Sequence, residues 1–335
     1  MRSPLVSIII LNWNGHRHLK TCLDSVFGQS YQEFQVILVD NGSIDGSVPY
    51  VKEHFPQVRL LELQANVGFA RGCNLGLRAA DGDYLALLNN DTELHPDWLT
   101  ELVKALDQHP EVDYCASKIL RFDQRRIIDS AGDIFTVAGS PKKRGEGQFD
   151  GPDFSSQTII FGACAGAALY RRSVFDRIGY FDEIFFAYHE DTDFNLRALR
   201  AGLTCLFVPQ AVVYHKVSGT LGPGSDFVTF YNHRNVELAY FKNMPGRLMI
   251  KYLPYLFVIR SLAFIYWAWQ GRAGSFLRGK LAFLKLLPYV IKERRRLAPQ
   301  RAVGILSFER ALEKNWFWTQ VRDRLPSRSV KSCIP

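Results

Sequence analysis

Two short stretches of the sequence carry residue types suited to proton transfer and to cation binding. His189-Glu190-Asp191-Thr192-Asp193 sets an acidic cluster at the start of a helical pattern. Acidic side chains there offset the helix dipole, and a carboxylate in that position can also take a proton from an attacking hydroxyl. Its carboxylates Glu190, Asp191 and Asp193 are the candidates for that proton transfer. Asn89-Asn90-Asp91 closes an apolar run, so a single carboxylate emerges at its end. Such a group suits a hard divalent cation that keeps several waters while bridging phosphates. Val213-Tyr214-His215-Lys216-Val217-Ser218-Gly219-Thr220 places one histidine in a polar turn after a later apolar run. A lone histidine is more often structural, but beside Asp91 it becomes a candidate second metal ligand.

Further polar clusters follow other apolar runs: Asn12-Trp13-Asn14-Gly15, Asp40-Asn41-Gly42-Ser43 and Asn66-Val67-Gly68, the last continuing to Asn74. Each alone is half expected, because Asn, Asp and Ser cap helices and make turns. Together with Asn89 and Asn90 they form four polar ends in succession, which suits a nucleotide. Asp40 can accept hydrogen bonds from a base or ribose, and glycine lets backbone approach a ligand. The candidate donor-binding set is Asn12, Asn14, Asp40, Asn41, Ser43, Asn66, Gly68, Asn74, Asn89 and Asn90. Gly68, Gly72 and Gly76 are four apart, which is not the GxGxxG spacing of dinucleotide sites, and the sequence holds no GxxxxGK[ST] loop.

The elements that must present these clusters alternate. Apolar runs at 6–11, 34–39, 58–63, 84–88 and 112–117 read as strands, and helical spacing fills 17–27, 46–55, 69–80 and 96–109. This order predicts an α/β fold, a Rossmann-like, mostly parallel sheet with helices on both faces. Ligands in such sheets lie beyond the carboxyl ends of the strands, where the polar clusters fall. Residues 121–160, rich in Gly, Asp and basic residues, predict a mobile loop. Ordered patterning returns at 161–170, with helices near 172–178 and 191–201 and a strand at 203–208.

The charge is divided unevenly. The net value is +8 over 335 residues, yet residues 242–335 hold 19 Lys and Arg against 4 Asp and Glu. The first 241 residues therefore hold 22 basic against 29 acidic, a net of −7, while the tail carries +15. A hydrophobic share of 47% rules out a disordered chain. The six cysteines are scattered, with no CxxC, which argues against a zinc ribbon or a disulfide framework and for buried free thiols. The first apolar run is too brief for a signal peptide, so a cytoplasmic location is expected. In the tail, residues 252–269 are long and apolar, but Arg260 sits in the middle and tyrosines and tryptophans are interspersed. That pattern suits amphipathic helices lying on a membrane surface, with basic residues toward anionic headgroups, ahead of an ordinary packed helical subdomain and of a spanning helix. Nucleic acid is the less suitable polyanion, because the tail is too apolar for a solvated RNA arm.

With these residues in hand, a resemblance is evident. The series VSIIILNWNG, ILVDNGSIDGS, NVGFARGCNLG, LALLNND, GACAGAALYRRSVFDRIGYFDEIFF, HEDTDFNLRALRAG and VYHKVSGT resembles family 2 glycosyltransferases, most closely bacterial rhamnosyltransferase-type enzymes, over residues 4–240. The resemblance implies a GT-A fold, a nucleotide-sugar donor, a divalent cation (Mg2+ or Mn2+) and inversion at the anomeric carbon. It places Asp40 against the nucleoside, with Asn66, Gly68 and Asn74 in the segment lining its pocket. Asn89-Asn90-Asp91 takes the place of the DxD metal motif; Asn89 replaces the first acid, so metal binding falls to Asp91 and His215. Glu190-Asp191 matches the acidic pair near the acceptor, with Asp191 as base. The QxxRW of processive synthases is absent from the sequence, which favours addition of one or a few sugars. The donor implied is dTDP-rhamnose, with UDP-sugars next, and the acceptor a saccharide or lipid-linked saccharide of the cell surface. The expected division is a catalytic domain at 1–240 and a helical, basic, membrane-associating region at 241–335, peripheral on the inner face of the membrane. The alternative is an inactive nucleotide-sugar-binding protein of the same fold.

Overall fold

The computed structural model describes residues 5–216, 225–300, 302–315 and 317. The 217–220 part of the histidine turn, and Cys333 among the expected free thiols, lie outside the described residues.

The first half follows the expected alternation: β1 (Val6–Asn12), α1 (His16–Phe27), β2 (Phe34–Asp40), α2 (Ser47–His54), β3 (Arg59–Glu62), α3 (Phe69–Ala79) and β4 (Tyr84–Asn89). β1 pairs in parallel with β2 and β4, and β2 with β3, so the polar strand ends share one edge. The β-branched and aliphatic runs of β1, β2 and β4 fit because these strands are largely buried, while β3 lies at the exposed edge. α1 and α4 (Trp98–Gln108), which follows the short β5 (Thr92–Leu94), cover one face through Leu19, Leu23, Trp98 and Leu102. α3 covers the other through Ala70, Cys73 and Leu77. A Cβ on Gly72 would lie 2.4 Å from Leu11 Cδ1, and one on Gly76 would lie 2.5 Å from Ile9 Cγ2. The four-residue glycine spacing thus lets α3 settle on the sheet.

The second half departs from the simple pattern. After β6 (Tyr114–Arg121), the segment expected to be a mobile loop is built into β7 (Gln124–Ser130), β8 (Asp133–Phe135), β9 (Pro141–Lys143) and β10 (Thr158–Ile160). Its composition reads as loop, but Leu120, Ile128, Ala131, Phe154 and Phe207 form a core of their own. The Arg144 guanidinium packs 5.1 Å from the rings of both Phe154 and Phe207. β11 (Ala167–Arg171) then inserts antiparallel between β4 and β6, making the sheet mixed. α5 (Arg172–Ile178) and α6 (Glu190–Arg200) join α3 on its face through Val174 and Phe194. The strand expected at 203–208 runs on as β12 (Cys205–His215), with a register shift between Val208 and Val212. β12 pairs with β6, β10 and β5. His215 is therefore the last residue of a strand, rather than part of a turn beyond it.

α7 (Asp226–Asn243), α8 (Gly246–Trp269), α9 (Ala273–Lys285), α10 (Leu287–Leu297) and α11 (Ile305–Arg310) complete the described chain. Leu238, Tyr240, Leu248, Leu256, Phe283 and Val290 from these helices share a core with Phe135, Phe185 and Leu196. α7 runs across position 240, and the later helices pack directly on the sheet domain.

Candidate active site

At the carboxyl edge the polar clusters first bind one another. The Asn12 amide donates to Asp40 Oδ2 at 2.9 Å and to Ser43 Oγ at 3.2 Å, and its carbonyl accepts from Asn90 at 2.7 Å. Asp40 Oδ1 accepts from the Ser43 amide at 2.8 Å. Asn14, at φ 50°, donates its backbone N–H to Ser43 Oγ and accepts from the Ile44 amide, both at 2.9 Å. Asn41 donates to Asn66 Oδ1 at 2.9 Å, and the same oxygen accepts from the Gly68 amide at 2.9 Å. This net of side-chain to backbone bonds fixes three loops without secondary structure of their own.

These loops frame a cavity of about 530 Å3. Of the expected residues, Asn41, Asn66, Gly68, Asn89, Asn90, Asp91, Glu190 and Asp191 line it. Asn12, Asn14, Asp40 and Ser43 stand behind that wall and hold it. Asn74 lies elsewhere: fully buried, it exchanges hydrogen bonds with the Phe181 backbone at 2.9 and 3.0 Å and donates to Glu183 Oε1 at 3.0 Å. It ties α3 to the chain leading to α6 instead of facing the cavity.

Asp91 sits in the turn from β4 to β5. Because β5 pairs antiparallel with β12, with Thr92 opposite His215, the imidazole Nε2 comes within 3.2 Å of Asp91 Oδ1. Its Nδ1 lies 2.9 Å from Asp129 Oδ2, and Lys143 Nζ reaches the same carboxylate at 2.9 Å. Burial pushes the imidazole down, but its hydrogen bonds to Asp129 and Asp91 prevail and raise it to about 9. Burial raises Asp129, yet His215 and Lys143 bring it to about 2. For Asp91 too, burial is outweighed by His215, leaving it below the usual carboxylate range. The Asp91 carboxylate suits Mg2+ or Mn2+, and the imidazole, oriented by a second carboxylate, would join it as a ligand on giving up its Nε2 proton. Among the described residues no group of three or more His, Cys, Asp and Glu could hold an ion. The remaining positions of a cation at Asp91 and His215 would thus fall to phosphate oxygens and water.

Across the cavity, Asp191 occupies the first turn of α6 and accepts from the Thr192 amide at 2.7 Å and the Ala165 amide at 3.5 Å. Burial raises its carboxyl above the ordinary value, and those backbone donors oppose the rise. Burial and then the charge of Asp191 push Glu190 up strongly, and its buried Oε2 has no hydrogen-bond partner. The loop before them is strained: Phe186, Tyr188 and His189 have φ of 64°, 70° and 66°. Asn235 of α7 holds it, donating to the carbonyls of Phe185, Ala187 and Tyr188 at 2.9, 2.8 and 2.7 Å. Such backbone persists where surrounding bonds over-determine it. Gly68, at φ 89°, gives the loop room, since a Cβ there would lie 2.6 Å from the Phe186 carbonyl oxygen.

Asp129, Asp133, Lys143 and Tyr188 also belong to this site, and sequence reasoning missed them. Asp133 lines the cavity, accepts from Asn195 at 3.2 Å, and is raised by burial and then by Asp191. A signal was present in Ile127-Ile128-Asp129 followed by Asp133, an apolar run ending in acids like those at the other strand ends, but the neighbouring glycines and basic residues masked it.

Known proteins resemble this chain in family and in fold. The family described as Glycosyl transferase family 2 matches residues 7–179. An N-acetylglucosaminyl-diphospho-decaprenol L-rhamnosyltransferase of Mycobacterium tuberculosis is 26% identical over 261 residues, covering 71% of this chain and 85% of the relative. Among solved structures, GalNAc-T7 with UDP, GalNAc and Mn2+ aligns at TM-score 0.62 and 16% identity, over 86% of this chain and 57% of its own length. The mannosyltransferase PcManGT of Pyrobaculum calidifontis, in complex with GDP-Man and Mn2+, aligns at 0.53 and 19%, over 91% and 88%. S. aureus TarS 1–349 in complex with UDP-GlcNAc aligns at 0.57 and 18%, over 91% and 90%. These likenesses show the GT-A fold.

Proposed function

Because the chain belongs to glycosyl transferase family 2, we propose that it is an inverting transferase moving one sugar from a nucleotide diphosphate to a hydroxyl of a lipid-linked saccharide. The observation that carries this reading is one cavity lined both by Asp91, backed by His215, and by Asp191 and Glu190. The donor proposed is dTDP-rhamnose, after the mycobacterial relative, with UDP-sugars next.

The loops of Asn41 and Asn66 bind the nucleoside, and the net behind them keeps the loops rigid. Glu190, held protonated by burial, offers its unpartnered oxygen to the acceptor hydroxyl. Asp191 takes the proton of that hydroxyl as its oxygen attacks the anomeric carbon from the side opposite the diphosphate. The carbon–oxygen bond to the diphosphate breaks, and the nucleoside diphosphate leaves with the electron pair. Mg2+ or Mn2+ at Asp91 and His215 would neutralise charge on that leaving group.

The same proposal places the protein on the cytoplasmic face of a membrane. Leu248, Tyr252, Leu256 and Ile259 of α8 turn inward onto the core, while Ile250, Phe257 and Trp269 are 73%, 73% and 81% exposed. α8 is long and apolar enough to cross a bilayer by length and composition, but a packed inner stripe suits a helix lying at the interface. Arg260 faces inward, 2.6 Å from Glu237.

The decisive experiment is a panel of nucleotide sugars, with and without EDTA, scored by release of nucleoside diphosphate. Release from one donor, lost with EDTA, is expected. No release from any donor would instead favour the inactive binding protein.

A further inference from the structure

A second cavity, of about 420 Å3, lies between α7 and α8, bounded by Asn232, Val236, Ile259, Arg260, Ala263 and Trp267. It shares Pro141, Lys142 and His189 with the catalytic cavity, and His189 directly precedes Glu190 and Asp191. The two chambers are therefore neighbours through a common wall, on the side of the candidate base. We propose that this second cavity receives the phosphate-and-lipid side of the acceptor, while the acceptor sugar, whose hydroxyl attacks the donor, reaches through to Asp191. The inference rests on the transferase reading and assigns that reading a second binding site.

Charge and polarity support the assignment. Buried Glu237 is the shared partner of Arg260 and Lys280, so one carboxylate faces two cations, of which Arg260 lines the cavity. A surplus of positive charge at a half-enclosed site suits a phosphodiester or diphosphate. The rest of the lining is largely apolar, with Ile259, Ala263 and Trp267 on the same helix as Arg260 and Val236 on α7. Helix α8 continues outward into exposed Leu262, Ile265 and Trp269. An amphiphile laid along this path has its sugar near Asp191, its phosphate near Arg260 and its chain on the outer face of α8. The order of chemistries along the path matches the order of groups in a lipid-linked sugar.

The test uses the full chain and a probe of that chemistry, an N-acetylglucosaminyl diphosphate carrying a short isoprenoid chain. N-acetylglucosamine 1-phosphate without lipid and phosphatidylglycerol vesicles serve as separate arms. Ala263→Trp fills the cavity from a half-buried position on α8, and Trp267→Leu removes the aromatic wall. Both variants are expected to weaken the lipid-linked probe by about tenfold or more, as loss of a shaped pocket does. Binding of nucleoside diphosphate with Mn2+, and of phosphatidylglycerol vesicles, should stay as in the wild type. Unchanged affinity for the probe in both variants overturns the proposal. So does wild-type protein that prefers the lipid-free sugar phosphate, or equal weakening of nucleoside diphosphate. Failure of the transferase reading is seen separately, as wild-type protein that releases nucleoside diphosphate from no nucleotide sugar.

Discussion

The catalytic assignment turns on two adjacent carboxylates with different surroundings. Asp191 has backbone donors on both oxygens, whereas Glu190 has a buried oxygen without a partner. Asp191→Asn keeps the size and, through its one carbonyl oxygen, the bond from the Thr192 amide, but cannot take a proton. Its kcat should fall by about 10²–10⁴, with nucleotide-sugar affinity measured by calorimetry unchanged. The base must be ionised to act, and burial raises Asp191 above the ordinary carboxylate value. The wild-type kcat/KM should therefore climb as pH rises through that raised value, on a limb above the usual carboxylate range. That limb should be absent from the residual activity of Asp191→Asn. Asp129 touches His215 rather than any expected ligand of the donor. Asp129→Asn should weaken Mn2+ affinity by about 10–100-fold, read by titration of the free protein; an unchanged affinity would remove it from the site. Asp40, Asn12 and Ser43 were legible from sequence as strand-end polar residues, but their work of holding loops was not, because hydrogen-bond partners 28 to 31 positions away do not show in local composition.

Among the elements, α6 has to hold Asp191 against a strained loop, and buried charges tie it to its neighbours. Lys242 of α7 is fully buried, 2.5 Å from Asp182 and 3.0 Å from Asp193, and Arg197 lies 2.9 Å from Asp193 on the same helix. Lys242→Met leaves two acids with one fewer cation, which should cost about 3 kcal/mol in urea unfolding, since breaking a buried pair strands its partner. Loss of that size should also loosen the Asp191 loop and depress kcat more than donor affinity. The strands β1, β2 and β4 were legible because each is a largely apolar run with a polar end, and β3 because it recurs at the same spacing between helical patterns. The segment 121–160 was not, because Gly, Asp and Arg mark turns wherever they occur. Here they serve short hairpins whose core is completed by Phe207 from distant β12.

For the whole molecule, the uneven charge and the outer face of α8 point the same way. Anionic vesicles should bind the full chain, and added salt should weaken that binding because part of it is electrostatic. Ile250→Glu together with Phe257→Glu should release the protein in vesicle flotation while leaving nucleoside diphosphate release from free donor unchanged. If the doubly substituted protein floats like the wild type, α8 is not the docking face. Residue types near one another in the chain already announced most of this protein: the alternating layers, the polar ends on one edge, Asp91 and the Glu190-Asp191 pair. Such features are encoded locally, in backbone preference and in the need to bury apolar runs. Only the folded chain decided which charged groups meet. Asp129 reaches His215 across 86 positions, Asn235 grips the loop before Asp191 from a later helix, and Arg260 turns away from the exposed face of α8 toward Glu237. Those meetings follow from how β5, β12 and the C-terminal helices bury their shared cores, and that depends on the whole chain at once.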